Sequence, residues 1–190
     1  LMRVGAVITN SHIVYTSGKH GSAYVNKDAL YPHVKATSQL CREIAEHFSD
    51  EDLIGNIPDY GIDVVVAPAV GGVILCTWTA YWLEQLRGGP ALALYAEKSE
   101  KGDAFVFRRG YDKLIPRMRV LVVEDILTTG GSAKKVIDVV RALGGNVIAV
   151  GALCNRGGIT AEQLDFPELF ALTELKLDAE DRGGDVKGKK

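Results

Sequence analysis

VLVVEDILTTGGS, residues 120–132, puts an aliphatic run, two acids and a hydroxyl-rich glycine turn into consecutive positions. Val120, Leu121, Val122 and Val123 predict a buried parallel strand. Glu124 and Asp125 stand where that strand is expected to end. Thr128, Thr129, Gly130, Gly131 and Ser132 then form a small turn that opens into a helix. This order of parts suits a phosphorylated sugar. Glycines let backbone N–H groups approach closely, and hydroxyls add donors. A helix start offers unpaired N–H groups and the positive dipole end to a phosphate. The two acids can accept hydrogen bonds from vicinal hydroxyls, provided structural salt links do not consume them. The plain alternative is an ordinary strand–turn–helix junction with solvated acids and Ser132 as the helix cap. An ordinary junction seldom needs both the acids and the glycine pair. The run is neither a Walker A loop nor a Gly-x-Gly-x-x-Gly dinucleotide loop.

Outward from this run the chain alternates strands and helices. Leu40, Cys41, Ile44 and Phe48 recur at helical spacing and predict an amphipathic helix over 34–48. Asp63–Ala67 reads as a second buried strand, followed by Pro68-Ala69-Val70-Gly71-Gly72. That glycine turn is either an ordinary βα connection or a second phosphate cradle. A largely apolar helix over 73–86 carries Trp78 and Trp82 on one face and is either buried core or an interface. A strand over 91–96 precedes a charged excursion, 97–112, which is either a solvated hairpin or a mobile lid bearing Lys98 and Lys101. After the motif comes a helix over 132–143 whose Ala133, Val136, Ile137 and Val140 face the sheet. Strands over 146–153 and 169–172 complete the pattern. Such alternation indicates one α/β domain around a parallel sheet, with ligands beyond the carboxyl ends of the strands. Arg156 would lie at that edge, as a surface charge or as a fork for a carboxylate.

Composition narrows the class. The chain has 190 residues, 47% hydrophobic and 24% charged, which suits one soluble domain with a sizeable core. A formal net charge of −2 argues against a general nucleic-acid binder. No apolar run is long enough to cross a bilayer, and the amino end has no signal-peptide pattern. Cys41, Cys76 and Cys154 lie far apart and fit buried thiols of a reducing, cytoplasmic setting. The four histidines show no metal-ligand spacing. The end, GGDVKGKK, is too polar and glycine-rich to fold, so residues 183–190 are expected to be a disordered tail.

The run at 120–132 resembles the phosphoribosyl pyrophosphate (PRPP) motif of type I phosphoribosyltransferases. Further pieces are Ser17-Gly18-Lys19-His20 leading to Tyr24, the stretch Val64–Gly72, Tyr95-Ala96-Glu97-Lys98, and Asn155-Arg156-Gly157. Together they make the chain similar to orotate phosphoribosyltransferases from Val4 to about Asp178. It departs from that family at Thr16, usually Lys or Arg there, and in having no histidine between Glu97 and Asp112.

The resemblance implies a Rossmann-like parallel sheet flanked by helices, the type I phosphoribosyltransferase fold. Residues 1–182 would be one domain, with 1–33 and 154–178 forming a small hood over the base. It further implies that Glu124 and Asp125 hold the ribose hydroxyls. Thr128, Thr129, Gly130, Gly131 and Ser132 would bind the 5′-phosphate, Ile126 and Leu127 would also belong to the substrate site, and Ala69, Val70 and Gly71 would serve the pyrophosphate. Thr128 and Arg156 would contact orotate. Lys98 and Lys101 would serve pyrophosphate in the neighbouring subunit's site, which implies a homodimer, and Asp125 and Lys101 would carry catalysis. Mg2+ would be held mainly by PRPP rather than by protein side chains. The implied reaction joins PRPP and orotate to give orotidine 5′-monophosphate and pyrophosphate, in pyrimidine nucleotide biosynthesis. Two alternatives stay open: a transferase for purine bases, and a non-catalytic PRPP or nucleotide sensor of the same fold.

Overall fold

The computed structural model describes residues 26–49, 61–165 and 168–174, with the backbone alone of 7–8, 13–14, 20–21 and 24–25. The Ser17-Gly18-Lys19 turn, Thr16 and the tail at 183–190 lie outside the described residues. Only short pieces of 1–33 fall within them. There, β1 (Val7–Ile8) pairs antiparallel with β4 (Tyr24–Val25), and β2 (Ile13–Val14) with β3 (His20–Gly21). A single-turn helix, α1 (Lys27–Leu30), follows, and then α2 (Val34–His47).

A six-stranded sheet forms the body. Its members are β5 (Val64–Pro68), β6 (Leu92–Lys98), β7 (Phe105–Val106), β8 (Arg119–Leu127), β9 (Asn146–Asn155) and β10 (Leu169–Ala171). They lie in the order β10-β9-β8-β5-β6-β7, and all neighbours are parallel except β6 and β7. Helix α3 (Val73–Arg87) links β5 to β6, and α4 (Gly131–Ala142) links β8 to β9.

The aliphatic strands sort their side chains by parity. Val65, Ala67, Leu121 and Val123 join the core shared with α2 and α3. Val64, Val66, Val120 and Val122 join a second core with Val136, Ile137 and Val140 of α4. Both faces are covered, which is why these strands read as continuous apolar runs rather than alternating ones. The four apolar positions assigned to the sheet-facing side of α4 are its buried residues. In α3 the buried face is Leu75, Cys76, Thr79, Ala80 and Leu83. Trp78 and Trp82 are half-buried at its flank, and the Trp82 ring N–H donates to Ser38 Oγ of α2 at 3.0 Å.

The winding fixes where a ligand can sit. From β5 the chain moves to β6 on one side, and from β8 to β9 on the other. The two crossovers diverge, so a crevice opens beyond the carboxyl ends of β5 and β8, the switch point of a doubly wound sheet.

Candidate active site

The crevice is a cavity of about 440 Å³, within the range of small-molecule sites. Its walls come from the two turns singled out in the sequence: Pro68–Gly71 at and beyond the end of β5, and Glu124–Ser132 within and after β8. Lys27, Lys98 and Phe105 complete the lining.

Strand β8 runs further than the aliphatic run alone suggests. It continues through both acids to Leu127 because β9 pairs with it up to Leu127–Asn155. Strand β5 pairs with it only as far as Val66–Val122. The last residues of β8 therefore have a neighbour on one side and the cavity on the other. Glu124 is 7% exposed and Asp125 4%, so both are buried acids at a cavity wall.

Their electrostatics differ. Burial, then the adjacent Asp125, pushes the Glu124 carboxyl up to about 8, while Lys27 opposes the rise. Asp125 has partners for both oxygens: the Ile126 N–H donates to Oδ1 at 2.7 Å and Lys27 Nζ to Oδ2 at 2.5 Å. Burial works against the charge on Lys27, but the hydrogen bond and attraction to Asp125, with Asp28 and Glu124, hold its pKa above the usual lysine value. Asp125 is thus in a salt link. The link forms part of the cavity wall rather than the core, since the Lys27 side chain is 35% exposed. Behind it, burial and then the charge of Asp125 push the Tyr31 phenol well above its usual range, so it stays neutral.

The phosphate-type turn is built from backbone. Gly130 precedes α4 with φ +71°, a left-handed conformation that glycine adopts without strain. A Cβ there would also come within 2.8 Å of Leu164. No side chain caps α4, so Ser132 is not a cap. Instead the first-turn amides and the exposed hydroxyls of Thr128, Thr129 and Ser132 line the cavity. Buried acids and an uncapped helix start differ from the plain junction with solvated acids and a Ser132 cap. Across the cavity, the Ala69 N–H donates to Ala96 O at 2.7 Å and the Gly72 N–H to Pro68 O at 3.1 Å, while Val70 is 86% exposed.

Arg156 follows β9 and braces the turn from outside the cavity. Its backbone N–H and that of Gly157 both donate to Leu127 O, at 2.8 and 3.0 Å, and its guanidinium donates to Thr128 Oγ1 at 2.8 Å. Lys98 lines the cavity, but Lys101 does not. Lys101 stands at the exposed tip of the β6–β7 hairpin, beside a shallow groove with Ser99, Glu100, Asp103 and Arg108. The tip is ordered by Ser99 Oγ donating to Asp103 Oδ1 at 2.8 Å. At the hairpin base, Glu97 pairs with Arg108 at 3.3 Å and with Arg109, whose guanidinium lies over Tyr95. The structure therefore brings Glu124–Ser132, Ala69–Gly71 and Lys98 together, sets Arg156 against Thr128, and keeps Lys101 apart. No motif points to Lys27, which reaches Asp125 from 98 residues away. Among the described residues, no group of three or more His, Cys, Asp or Glu side chains is placed to hold a metal.

A doubly wound sheet with two anion-suited turns and a buried acid pair at its switch point defines a sugar-phosphate-binding α/β protein. Comparison narrows the class. The family model described as "Phosphoribosyl transferase domain" matches residues 31–175. An orotate phosphoribosyltransferase of Caldanaerobacter subterraneus is 39% identical over 150 residues, covering 79% of this chain and 70% of that protein. The crystal structure of orotate phosphoribosyltransferase from Aeropyrum pernix superposes with a TM-score of 0.67 at 25% identity, covering 92% of this chain and 91% of that one. The adenine phosphoribosyltransferase of Saccharomyces cerevisiae shares the fold at a TM-score of 0.65 and 18% identity, over 90% of this chain and 96% of that one. The chain belongs to the phosphoribosyltransferases and, within them, to the orotate phosphoribosyltransferase family.

Proposed function

We propose that this chain transfers the phosphoribosyl group of PRPP to orotate, forming orotidine 5′-monophosphate and pyrophosphate in pyrimidine nucleotide biosynthesis. The observation that carries the reading is the cavity itself. A buried acid pair sits between two backbone turns, each suited to an anion. PRPP has that layout, with a 5′-phosphate at one end, a diol in the middle and a pyrophosphate at the other. The choice of orotate over a purine base rests on sequence likeness, because the fold is common to both kinds of transferase.

In the reaction the bond from C1 to the pyrophosphate oxygen breaks, and a bond from C1 to the base nitrogen forms. The electron pair leaves with pyrophosphate. As the first bond stretches, the ribose ring gains cationic character and the leaving group gains negative charge. Glu124 and Asp125 hold the diol, and the Asp125 carboxylate stabilises the former. The amides of 128–132 fix the 5′-phosphate. Such positioning supplies up to ~7–11 kcal/mol in favourable cases. Lys98 faces the leaving group, and Lys101 reaches it from the hairpin of a second subunit, which excludes water as the lid closes. That shared site calls for a homodimer. Mg2+ bound to PRPP would supply neutralising charge for the pyrophosphate, held mainly by the donor's own oxygens. Arg156 holds Thr128 in place for the base.

A cytoplasmic setting is supported by the three free thiols. All are buried, and burial pushes Cys41 and Cys76 up to about 12 and Cys154 to about 11. Among the described residues, no helix is long and apolar enough to cross a membrane.

The test is to incubate the protein with PRPP, Mg2+ and each base separately. Orotate alone is expected to be consumed with release of pyrophosphate. Consumption of adenine, guanine or hypoxanthine instead overturns the base assignment. Binding of PRPP with no turnover of any base overturns the enzyme reading in favour of a sensor.

A further inference from the structure

A buried carboxylate in a pocket for a polyanion creates a conflict. Asp125 suits the diol but repels the phosphates on either side of it, while burial and Asp125 push the neighbouring Glu124 towards its neutral, protonated form. Lys27 stands where that conflict is greatest. Its Nζ is 2.5 Å from Asp125 Oδ2, and it also lies against the second anion turn. A Cβ on Gly71 would come within 2.4 Å of Lys27 Nζ and 2.2 Å of Asp125 Oδ2. The ammonium is therefore wedged between the acid pair and the turn at Ala69–Gly71. In a phosphoribosyl donor the diol adjoins the carbon that carries pyrophosphate. A cation that touches the diol's acceptor is consequently within reach of the leaving group.

A role in folding does not account for all of this placement. The lysine end of the pair is 35% exposed, so solvent screens the link at that end, although Asp125 is buried. Helix α1 is anchored by other means: Leu30 is fully buried, and Asn26 Oδ1 accepts the Ala29 N–H at 3.3 Å. Lys27 adds a positive charge to the cavity wall in contact with a buried carboxylate that would otherwise repel the ligand.

We propose that Lys27 is a donor-binding residue of this site, offsetting the charge of Asp125 and presenting a cation to the pyrophosphate end of PRPP. The proposal rests on the transferase reading above. The experiment compares the unsubstituted protein with Lys27→Met, Lys27→Gln and Lys27→Arg, using calorimetric titration with pyrophosphate and steady-state kinetics with PRPP and orotate. Lys27→Met and Lys27→Gln are expected to weaken pyrophosphate binding and raise KM for PRPP by about tenfold or more, the scale of a lost charge-assisted contact. KM for orotate is expected to stay within about twofold, and Lys27→Arg to recover most of the donor affinity. Folded neutral variants with unchanged pyrophosphate affinity and PRPP KM overturn the proposal. Neutral variants that fail to fold overturn it too, because Lys27 is then structural. If the unsubstituted protein neither binds pyrophosphate nor turns over PRPP, the transferase reading falls instead.

Discussion

Gly157→Ala tests how tightly the turn after β9 is built against the phosphate-type turn. An added Cβ would lie 1.7 Å from the carbonyl oxygen of Thr128 and 2.6 Å from its carbonyl carbon. Both are backbone atoms, so no side-chain rotation relieves the clash. Either the 156–158 segment or Thr128 must move. Movement of the segment threatens the two hydrogen bonds that Leu127 O receives from Arg156 and Gly157, at 2.8 and 3.0 Å. Overpacking costs about 1–3 kcal/mol, and each lost hydrogen bond about 0.5–1.5 kcal/mol. The total is about 2–6 kcal/mol, or a fall of order 10 °C in Tm for a chain of this length. Because Thr128 carries part of the donor cradle, KM for PRPP is expected to rise as well. Gly158→Ala is the control. Nothing lies within 4 Å of its added Cβ, but φ is +62°, so the strain costs about 1–2 kcal/mol and donor binding is untouched. Chemical denaturation and steady-state kinetics on both variants decide. Gly157→Ala with a stability loss below that of Gly158→Ala, and an unchanged PRPP KM, would refute the packing argument.

Four further outcomes are expected. Asp125→Asn should leave the fold intact and cut kcat/KM for PRPP about 10–100-fold, the value of charge-assisted hydrogen bonds to a diol; near-normal kinetics would remove the ribose role. The raised Glu124 pKa means the folded state holds a proton that the unfolded chain releases near 4.5, so this carboxyl destabilises the fold progressively as pH rises from about 5 to 8. Glu124→Gln should therefore gain stability relative to the unsubstituted protein across that window, and a gap that stays constant or shrinks in denaturation midpoints would contradict the burial argument. Lys101→Ala should lower kcat while leaving orotate binding unchanged, and orotate titration checks this directly. If Lys101 serves a neighbouring subunit, re-equilibrated equal mixtures of Lys101→Ala and Asp125→Asn should recover about a quarter of full activity, because half the dimers carry one intact site; no recovery would place Lys101 outside the shared mechanism.

Much of this architecture was legible locally. Val64–Val66 and Val120–Val123 announce a sheet buried on both faces, since a strand with one wet face would alternate. The sheet-facing stripe of α4 follows from helical spacing alone. The glycine pair at 130–131 is legible because the turn needs a left-handed residue and a close backbone approach. What escaped depends on contacts distant in sequence. Strand β8 passes through the two acids because β9 supplies a ladder there, a pairing no local pattern encodes. Lys27 sits in a single-turn helix with no motif around it, and only folding brings it to Asp125. Arg156 is marked by its place after a strand, yet its bond to Thr128 depends on how two βα turns approach one another. Lys98 and Lys101 lie three residues apart but in different surroundings, because the hairpin carries one over the cavity and the other past it.

The most direct measurement is a crystal structure of the protein with ribose 5-phosphate. The phosphate should rest on the backbone amides of residues 128–132, with the 2- and 3-hydroxyls within hydrogen-bonding distance of Glu124 and Asp125. A sugar phosphate bound elsewhere, or a cavity that stays unliganded at saturating concentration, would contradict the assignment of this cleft to a phosphorylated pentose.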